Sequence, residues 1–135
     1  MTEHVFSRKL RKALDHKVHY QWKINDPYTN GVPDRFIEGA KCDLWLEAKH
    51  IKTLPVRDTT MIDLCNPNSF LSVLQQNWLM RRHITRGDAA VLLSCGEKAT
   101  IFFDAEWKIP LTKAQLSLRL VPLDTIVDII LTRIN

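Results

Sequence analysis

Three stretches of the chain carry hydrophobic residues at helical spacing. In residues 3–14 the apolar positions share one face and basic side chains fill the other, as in an amphipathic helix. A second helix is expected to begin at Ser69 or Ser72 and to run to Arg86, because Gly87 takes the position that commonly ends a helix. The third lies at the C-terminal end, where one apolar stripe contains Leu123, Ile126, Val127, Ile130, Leu131 and Ile134.

Between these helices, polar and apolar residues alternate or apolar residues run together. Such patterns predict β-strands at residues 18–24, 32–37, 42–51, 88–94 and 99–103. The short connection around Gly39 is typical of an antiparallel hairpin, whereas residues 53–68 are expected to form an irregular loop. The resulting order, α-β-β-β-α-β-β-α, predicts one mixed α/β domain over residues 1–135.

Composition narrows the class of protein. With 45% hydrophobic and 25% charged residues, the chain has the composition of a globular protein, which excludes a disordered chain. The formal net charge of +4 favours an anionic partner. The sequence contains no signal-peptide-like segment and no long apolar run, so we expect an intracellular, cytoplasmic protein with no membrane contact, in the host cytoplasm if it is phage-encoded.

Two kinds of residue are expected in the core. The cysteines Cys42, Cys65 and Cys95 are odd in number and form no Cys-x-x-Cys pair, which argues against a disulfide framework or a structural zinc site. We therefore expect small buried thiols in a reducing compartment. The tryptophans are expected to be core aromatics: Trp22, Trp45, Trp78 and Trp107.

The candidate chemistry lies in a Gly-Val-Pro-Asp sequence ending at Asp34, followed after twelve residues by Glu-Ala-Lys at 47–49. Alternate residues of a strand share a face, so Glu47 and Lys49 project side by side, and a hairpin would place Asp34 across from them. Converging carboxylates suit magnesium, which can activate water against a phosphodiester, while Lys49 would orient that water or neutralise phosphate charge. The alternative is an exposed strand with solvated charges, although these charges interrupt an otherwise apolar strand.

This pattern resembles the signature of the PD-(D/E)XK nuclease superfamily. The residues at 31–36, 46–49 and 75–78 are similar to those of its virus-type replication-repair branch (VRR-NUC), and the resemblance extends over residues 3–103. It implies a restriction-endonuclease-like core, a mixed β-sheet flanked by helices. It also implies that Asp34 and Glu47 bind the metal, with the carbonyl of Ala48 as a further ligand, and that Lys49 is the catalytic lysine. The implied metal is magnesium, for which manganese can substitute.

The resemblance also assigns residues on the two helices. Gln75 corresponds to a helix glutamine beside the active site, although the neighbouring Gln76 is an alternative and either is explained by a solvated helix position. Glu3 corresponds to an acidic residue that some members place near the metal, and favourable charge at a helix start is the other explanation. The 25 residues between Lys49 and Gln75 exceed the usual spacing of this branch, which suggests an extra substrate-contacting loop.

Basic residues on the two helices are the candidates for contacts with DNA: Arg8, Lys9, Lys12, Arg81 and Arg82. Ordinary solvated helix faces explain the same residues. The sequence thus favours a magnesium-dependent DNA endonuclease, selective for branched or flapped DNA by resemblance alone. A non-catalytic nucleic-acid-binding protein and a nuclease acting on RNA are the alternatives. The C-terminal stripe is expected to be core, with a homodimer contact as the other interpretation.

Overall fold

A mixed β-sheet lies at the centre of the fold. The computed structural model describes the backbone of residues 3–24 and 29–135 and the side chains of residues 5–24 and 29–135. The helices are α1 (Glu3–Leu14), α2 (Val73–Thr85), α3 (Lys113–Arg119) and α4 (Leu123–Ile134), with a 3-10 turn at Glu106–Lys108. The strands are β1 (Tyr20–Lys23), β2 (Arg35–Glu38), β3 (Asp43–His50), β4 (Met61–Ile62), β5 (Ala89–Cys95), β6 (Lys98–Phe103), β7 (Leu111–Thr112) and β8 (Val121–Pro122).

Within the described residues the central sheet has six strands in the order β1-β2-β3-β5-β6-β8. Neighbouring strands run antiparallel except β3 and β5, which are parallel and are connected through α2. The mixed α/β fold class expected from the sequence is confirmed. The first helix has the predicted bounds, and each predicted strand overlaps an observed one.

Two hydrophobic clusters cover the two faces of this sheet. One face packs against α1 and α4 through Phe6, Leu10, Leu14, Ile126, Val127, Ile130 and Ile134. The other packs against α2, α3 and the 3-10 turn through Leu79, Leu116 and Trp107, together with Ile62, Leu64 and Leu71 from the segment before α2. We call these the α1/α4 face and the α2 face. The C-terminal stripe therefore lies in the core, which accounts for it without a dimer contact.

Strand β3 divides its side chains between the two faces, because successive side chains of a strand point in opposite directions. Leu44 and Leu46 enter the cluster on the α1/α4 face. Trp45 packs against Trp78 of α2, and Glu47 also contacts α2. The charged positions of β3 therefore lie on the α2 face, beneath the start of that helix.

The long segment between β3 and α2 is more ordered than its sequence suggests. Strand β4 pairs with β7 in a separate two-stranded sheet, and the N–H of Lys113 donates to the carbonyl of Thr60 at 2.9 Å. Ile62 and Leu64 are buried in the cluster on the α2 face. Sequence patterns missed this sheet, along with α3, β8 and the 3-10 turn, because two-residue strands and one- or two-turn helices are too short to show a period.

Some core expectations were wrong. Cys42 is exposed and Cys65 and Cys95 are only half-buried, although all three are free thiols as expected. Trp107 is buried, but 47% of Trp22 is exposed because β1 is an edge strand of the sheet. Over the described ranges, no helix combines the length and the hydrophobicity needed to cross a bilayer.

Candidate active site

The hairpin of β2 and β3 brings Asp34 next to Glu47. The strands pair with Arg35 opposite Leu46, so Asp34 lies one position beyond this pair and faces the position of Glu47. The Oδ2 atom of Asp34 accepts a hydrogen bond from the N–H of Ala48 at 3.0 Å, which extends the strand pairing through a side chain. The structure therefore places the two carboxylate residues at the same end of the hairpin.

Gln75 contacts the Glu47 carboxylate in an orientation that its helix cap determines. Ser72 caps α2, and its N–H donates to Oε1 of Gln75 at 2.9 Å while its Oγ accepts from the N–H of Gln75 at 3.1 Å. Because a backbone N–H can only donate, Oε1 must face Ser72, which leaves Nε2 to donate to Oε1 of Glu47 at 3.2 Å. The capping box therefore directs an amide donor at Glu47, a side chain only 2% exposed.

The neighbouring Gln76 has a different role. Its Nε2 donates to the carbonyl oxygens of Cys65 at 2.9 Å and of Leu71 at 3.0 Å. Adjacent helical positions differ by about 100° around the axis, so only one of two neighbouring glutamines can face Glu47. Of the two alternatives, the structure brings Gln75 to the carboxylates and uses Gln76 to hold the segment before α2.

The two glutamines provide a matched pair of variants. If Glu47 binds a metal for DNA cleavage, as the sequence predicts, replacing Gln75 with alanine is expected to slow cleavage about 10- to 100-fold, because groups that orient a metal ligand typically contribute this much. Replacing Gln76 with alanine removes two hydrogen bonds and is expected to lower stability by about 1–2 kcal/mol with cleavage within about threefold of wild type. Cleavage rates and thermal unfolding of both variants test this, and equal losses of activity would contradict it.

Gly31 lets the loop before β2 approach the start of α2. Its φ is +87°, a conformation that glycine adopts readily. A Cβ atom at this position would lie 2.5 Å from the carbonyl oxygen of Leu74 and 3.1 Å from the nitrogen of Gln75. Because Gly31 has no side chain, the loop that precedes Asp34 can pack directly against the helix turn that carries Gln75.

Lys49 lies two residues beyond Glu47 on the α2 face of β3 and is half-buried. Ser94 of β5 is paired in register with the next residue, His50; its Oγ lies 2.9 Å from Nδ1 of His50 and donates to the carbonyl oxygen of Lys49 at 3.4 Å. Both contacts hold the backbone that carries the lysine. Asp34, Glu47 and Lys49 therefore gather at one end of β3, as the sequence pattern predicts.

Arg35 is a buried cation that follows Asp34 in sequence. Because it pairs with Leu46, it lies on the α1/α4 face, opposite the face of Glu47 and Lys49. Its side chain is 7% exposed, and its Nη1 has no hydrogen-bond partner within the part of the chain that the structure describes. Burial lowers the pKa of the Arg35 guanidinium, and the neighbouring Asp34 carboxylate raises it. Sequence reasoning missed this residue, although an arginine inside the predicted strand 32–37, directly before the apolar pair Phe36 and Ile37, could have indicated it.

The donor atoms at this site fit a hard divalent cation. Among the described residues, no group of three or more His, Cys, Asp and Glu side chains is arranged to hold a metal. The candidate donors are instead the carboxylates of Asp34 and Glu47 and the carbonyl of Ala48, all of them oxygen atoms. Magnesium prefers such donors and completes its coordination with water and substrate phosphate, whereas structural zinc favours nitrogen and sulfur.

The two candidate DNA contacts on α2 differ in their surroundings. Arg82 donates to both carboxylate oxygens of Asp88, from Nε at 3.0 Å and from Nη2 at 2.5 Å, and lies 5.5 Å from the ring centre of Trp45. Its guanidinium therefore forms an ion pair within the protein. Arg81 is exposed and stacks over Trp78 at 5.4 Å, so it stays available to a phosphate.

The candidate contacts on α1 lie across the sheet from α2. Arg8, Lys9 and Lys12 are exposed, since the apolar stripe of α1 packs into the cluster on the α1/α4 face. The two basic helices therefore occupy opposite layers of the fold. The side chain of Glu3 lies outside the described residues, so its predicted position near the metal stays a prediction.

Comparison with known proteins supports the fold. Neither a protein-family model nor a curated protein gives a match to this sequence. Among solved structures, the chain is similar to Hjc, a Holliday junction resolvase of the archaeal hyperthermophile Archaeoglobus fulgidus, with a TM-score of 0.53 and 16% identity over 88% of this chain and 97% of that chain. At this identity the likeness shows the fold alone: the chain has a restriction-endonuclease-like fold.

Proposed function

We propose that this protein is a metal-dependent nuclease that hydrolyses phosphodiester bonds in DNA. The observation that carries the proposal is the convergence of Asp34 and Glu47 at one end of a hairpin, with Lys49 on the same strand. This arrangement occurs on a fold similar to that of a Holliday junction resolvase. A purely structural role would not require a carboxylate at a position as buried as Glu47.

Each residue of the site has a chemical role in this proposal. Asp34 and Glu47, with the carbonyl of Ala48, would hold magnesium or manganese, which when bound polarises a phosphodiester and makes bound water more acidic. The Lys49 ammonium orients the attacking water or neutralises charge that develops on the phosphate. Gln75 keeps the Glu47 carboxylate in place through its amide donor.

The positive charge of the protein supports a nucleic-acid substrate. Arg8, Lys9 and Lys12 on α1 and Arg81 on α2 are exposed and are suited to phosphate contacts that do not depend on base sequence. The resemblance of the motifs to the virus-type replication-repair branch supports endonuclease action on branched or flapped DNA. A homodimer is the assembly that suits a two-fold symmetric junction. Light scattering of the purified protein in solution measures the mass of the assembly.

A cleavage assay with matched variants tests the function. Wild-type protein is incubated with magnesium and with linear, nicked, flap and four-way DNA, beside RNA versions of the same substrates. We expect cleavage of at least one DNA substrate, a loss of about 10²- to 10³-fold in Asp34→Ala and Lys49→Ala, and no cleavage after removal of metal by chelation. Lys41→Ala is the control, since Lys41 is exposed in the turn at the other end of the hairpin.

The outcomes of this assay separate the alternatives. A wild-type protein that binds every substrate and cleaves none would favour a non-catalytic binding protein on the same fold. Cleavage of RNA alone would change the substrate class. Cleavage that survives both substitutions would show that the site is elsewhere.

A further inference from the structure

A row of aromatic side chains crosses the α2 face of the sheet. Trp22 of β1 pairs in register with Phe36 of β2, which pairs with Trp45 of β3. The rings of Phe36 and Trp45 lie 4.8 Å apart, and those of Trp45 and Trp78 lie 5.0 Å apart. Because directly opposed residues of antiparallel strands share a face, Trp22 extends this row to the edge of the sheet.

Exposure distinguishes Trp22 from the rest of the row. Phe36, Trp45 and Trp78 are half-buried, with Trp78 on α2 covering the inner end of the row. Trp22 is 47% exposed on an edge strand. A large indole that is half open to solvent, at the end of a row of packed rings, offers a flat apolar surface that the core does not use.

This open ring lies close to the candidate active site. Trp45 and Glu47 are two residues apart on β3 and share the α2 face, and Trp22 is two strands away from Trp45. Standard strand spacings put the backbones of Trp22 and Glu47 roughly 12 Å apart. That span corresponds to about three to four stacked nucleotides of one DNA strand.

Charges around the row favour a nucleotide as the occupant. Arg81 is exposed beside Trp78 at the inner end of the row, whereas Lys23, next to Trp22 in sequence, lies on the opposite face of the sheet. On the other side of Trp22, Tyr20 is paired in register with Glu38, whose carboxylate repels phosphate and limits the platform to Trp22. An aromatic face with a cation such as Arg81 at one end is the arrangement that binds single-stranded nucleic acid without reading its sequence.

We propose that Trp22 stacks against an unpaired base of the DNA and thereby selects substrates that carry a single-stranded segment near the cleavage site. In an intact duplex the base faces are covered by their neighbours, so only a flap, a gap or an open junction can supply a free face to Trp22. The proposal rests on the proposed nuclease function and names the substrate class of that same site.

Binding in the absence of metal tests this separately from catalysis. Fluorescence anisotropy in the presence of a chelator gives the Kd of wild type, Trp22→Ala, Trp22→Phe and Tyr20→Ala for a labelled duplex and for the same duplex with a single-stranded flap. We expect Trp22→Ala to weaken flap binding about 5- to 150-fold and duplex binding less than twofold. Trp22→Phe keeps an aromatic face and should stay within about threefold of wild type. Tyr20→Ala is the matched control, because Tyr20 is 54% exposed on the same face of the same strand.

Three results would overturn the proposal. Equal weakening of flap and duplex binding in Trp22→Ala would show a general contact or a folding defect, which circular dichroism identifies. No change in Kd, with cleavage by wild type intact, would remove the stacking role and leave the nuclease function standing. Sedimentation that shifts from dimer to monomer in Trp22→Ala would show that this face binds a second copy of the chain. A wild type that neither binds nor cleaves DNA would instead contradict the proposed function itself.

Discussion

Replacing Glu47 with glutamine is expected to reduce the rate of DNA cleavage by roughly 10³-fold while leaving the protein folded. The substitution removes the negative charge that a divalent cation requires and keeps nearly the same volume at a position that is only 2% exposed. The new amide oxygen still accepts from Nε2 of Gln75, so the hydrogen bond that now measures 3.2 Å can persist. We therefore expect the free energy of unfolding to stay within about 1 kcal/mol of wild type.

Glu38→Gln is the matched control for this prediction. Glu38 is exposed and lies on β2 at the other end of the same hairpin, opposite Asp43. Its substitution is expected to leave the unfolding free energy unchanged and not to slow cleavage, because it removes only a charge that repels phosphate. The measurements are single-turnover cleavage and chemical denaturation. If Glu47→Gln unfolds the protein, or retains full activity, then Glu47 acts as a structural acceptor and not as a metal ligand.

Replacing Gly31 with alanine is expected to lower the free energy of unfolding by about 2–4 kcal/mol, which corresponds to a fall of roughly 10 °C in Tm. Two effects combine. The φ of +87° strains any L side chain, and the added Cβ would lie 2.5 Å from the carbonyl oxygen of Leu74. The overlap is relieved only if the loop or the first turn of α2 moves. A movement of α2 would displace Gln75 from Glu47. We therefore expect cleavage to fall as well, at temperatures where the variant is folded.

Gly96→Ala isolates the strain from the overlap. Gly96, in the turn between β5 and β6, has a φ of +61°, and a Cβ there would meet nothing within 4 Å. Its substitution is expected to destabilise by about 1 kcal/mol without any loss of cleavage by folded protein. Thermal unfolding of the two variants side by side measures the difference. Equal destabilisation would show that the contact between Gly31 and α2 is not tight in solution.

Local patterns were sufficient for much of the fold and for the placement of the candidate carboxylates. The apolar spacing of α1 and the glycine that follows α2, Gly87, are properties of a few neighbouring positions, so they can be found without the rest of the chain, whereas the sequence left Ser69 and Ser72 as alternative starts of α2. The alternation of β3 placed Glu47 and Lys49 on one face for the same reason. The short turn after β2 made the hairpin with β3 predictable, and with it the position of Asp34.

Contacts between distant segments decided what these patterns left open. The choice between Gln75 and Gln76 depended on how α2 is rotated over β3. The ion pair of Arg82 depended on Asp88, which lies at the end of the loop that follows α2. The sheet of β4 and β7 joins segments about 50 residues apart, and two-residue strands have no period of their own.

The sequence by itself determined the amphipathic helices, the hairpin and the set of acidic and basic residues at its open end, because these follow from short-range periodicity and turn chemistry. Only the tertiary structure decided which glutamine meets Glu47 and that Trp22 stays open to solvent at the edge of the sheet. The physical reason is that helix rotation and strand order are set by the packing of whole elements against one another, and this packing depends on residues far apart in the chain.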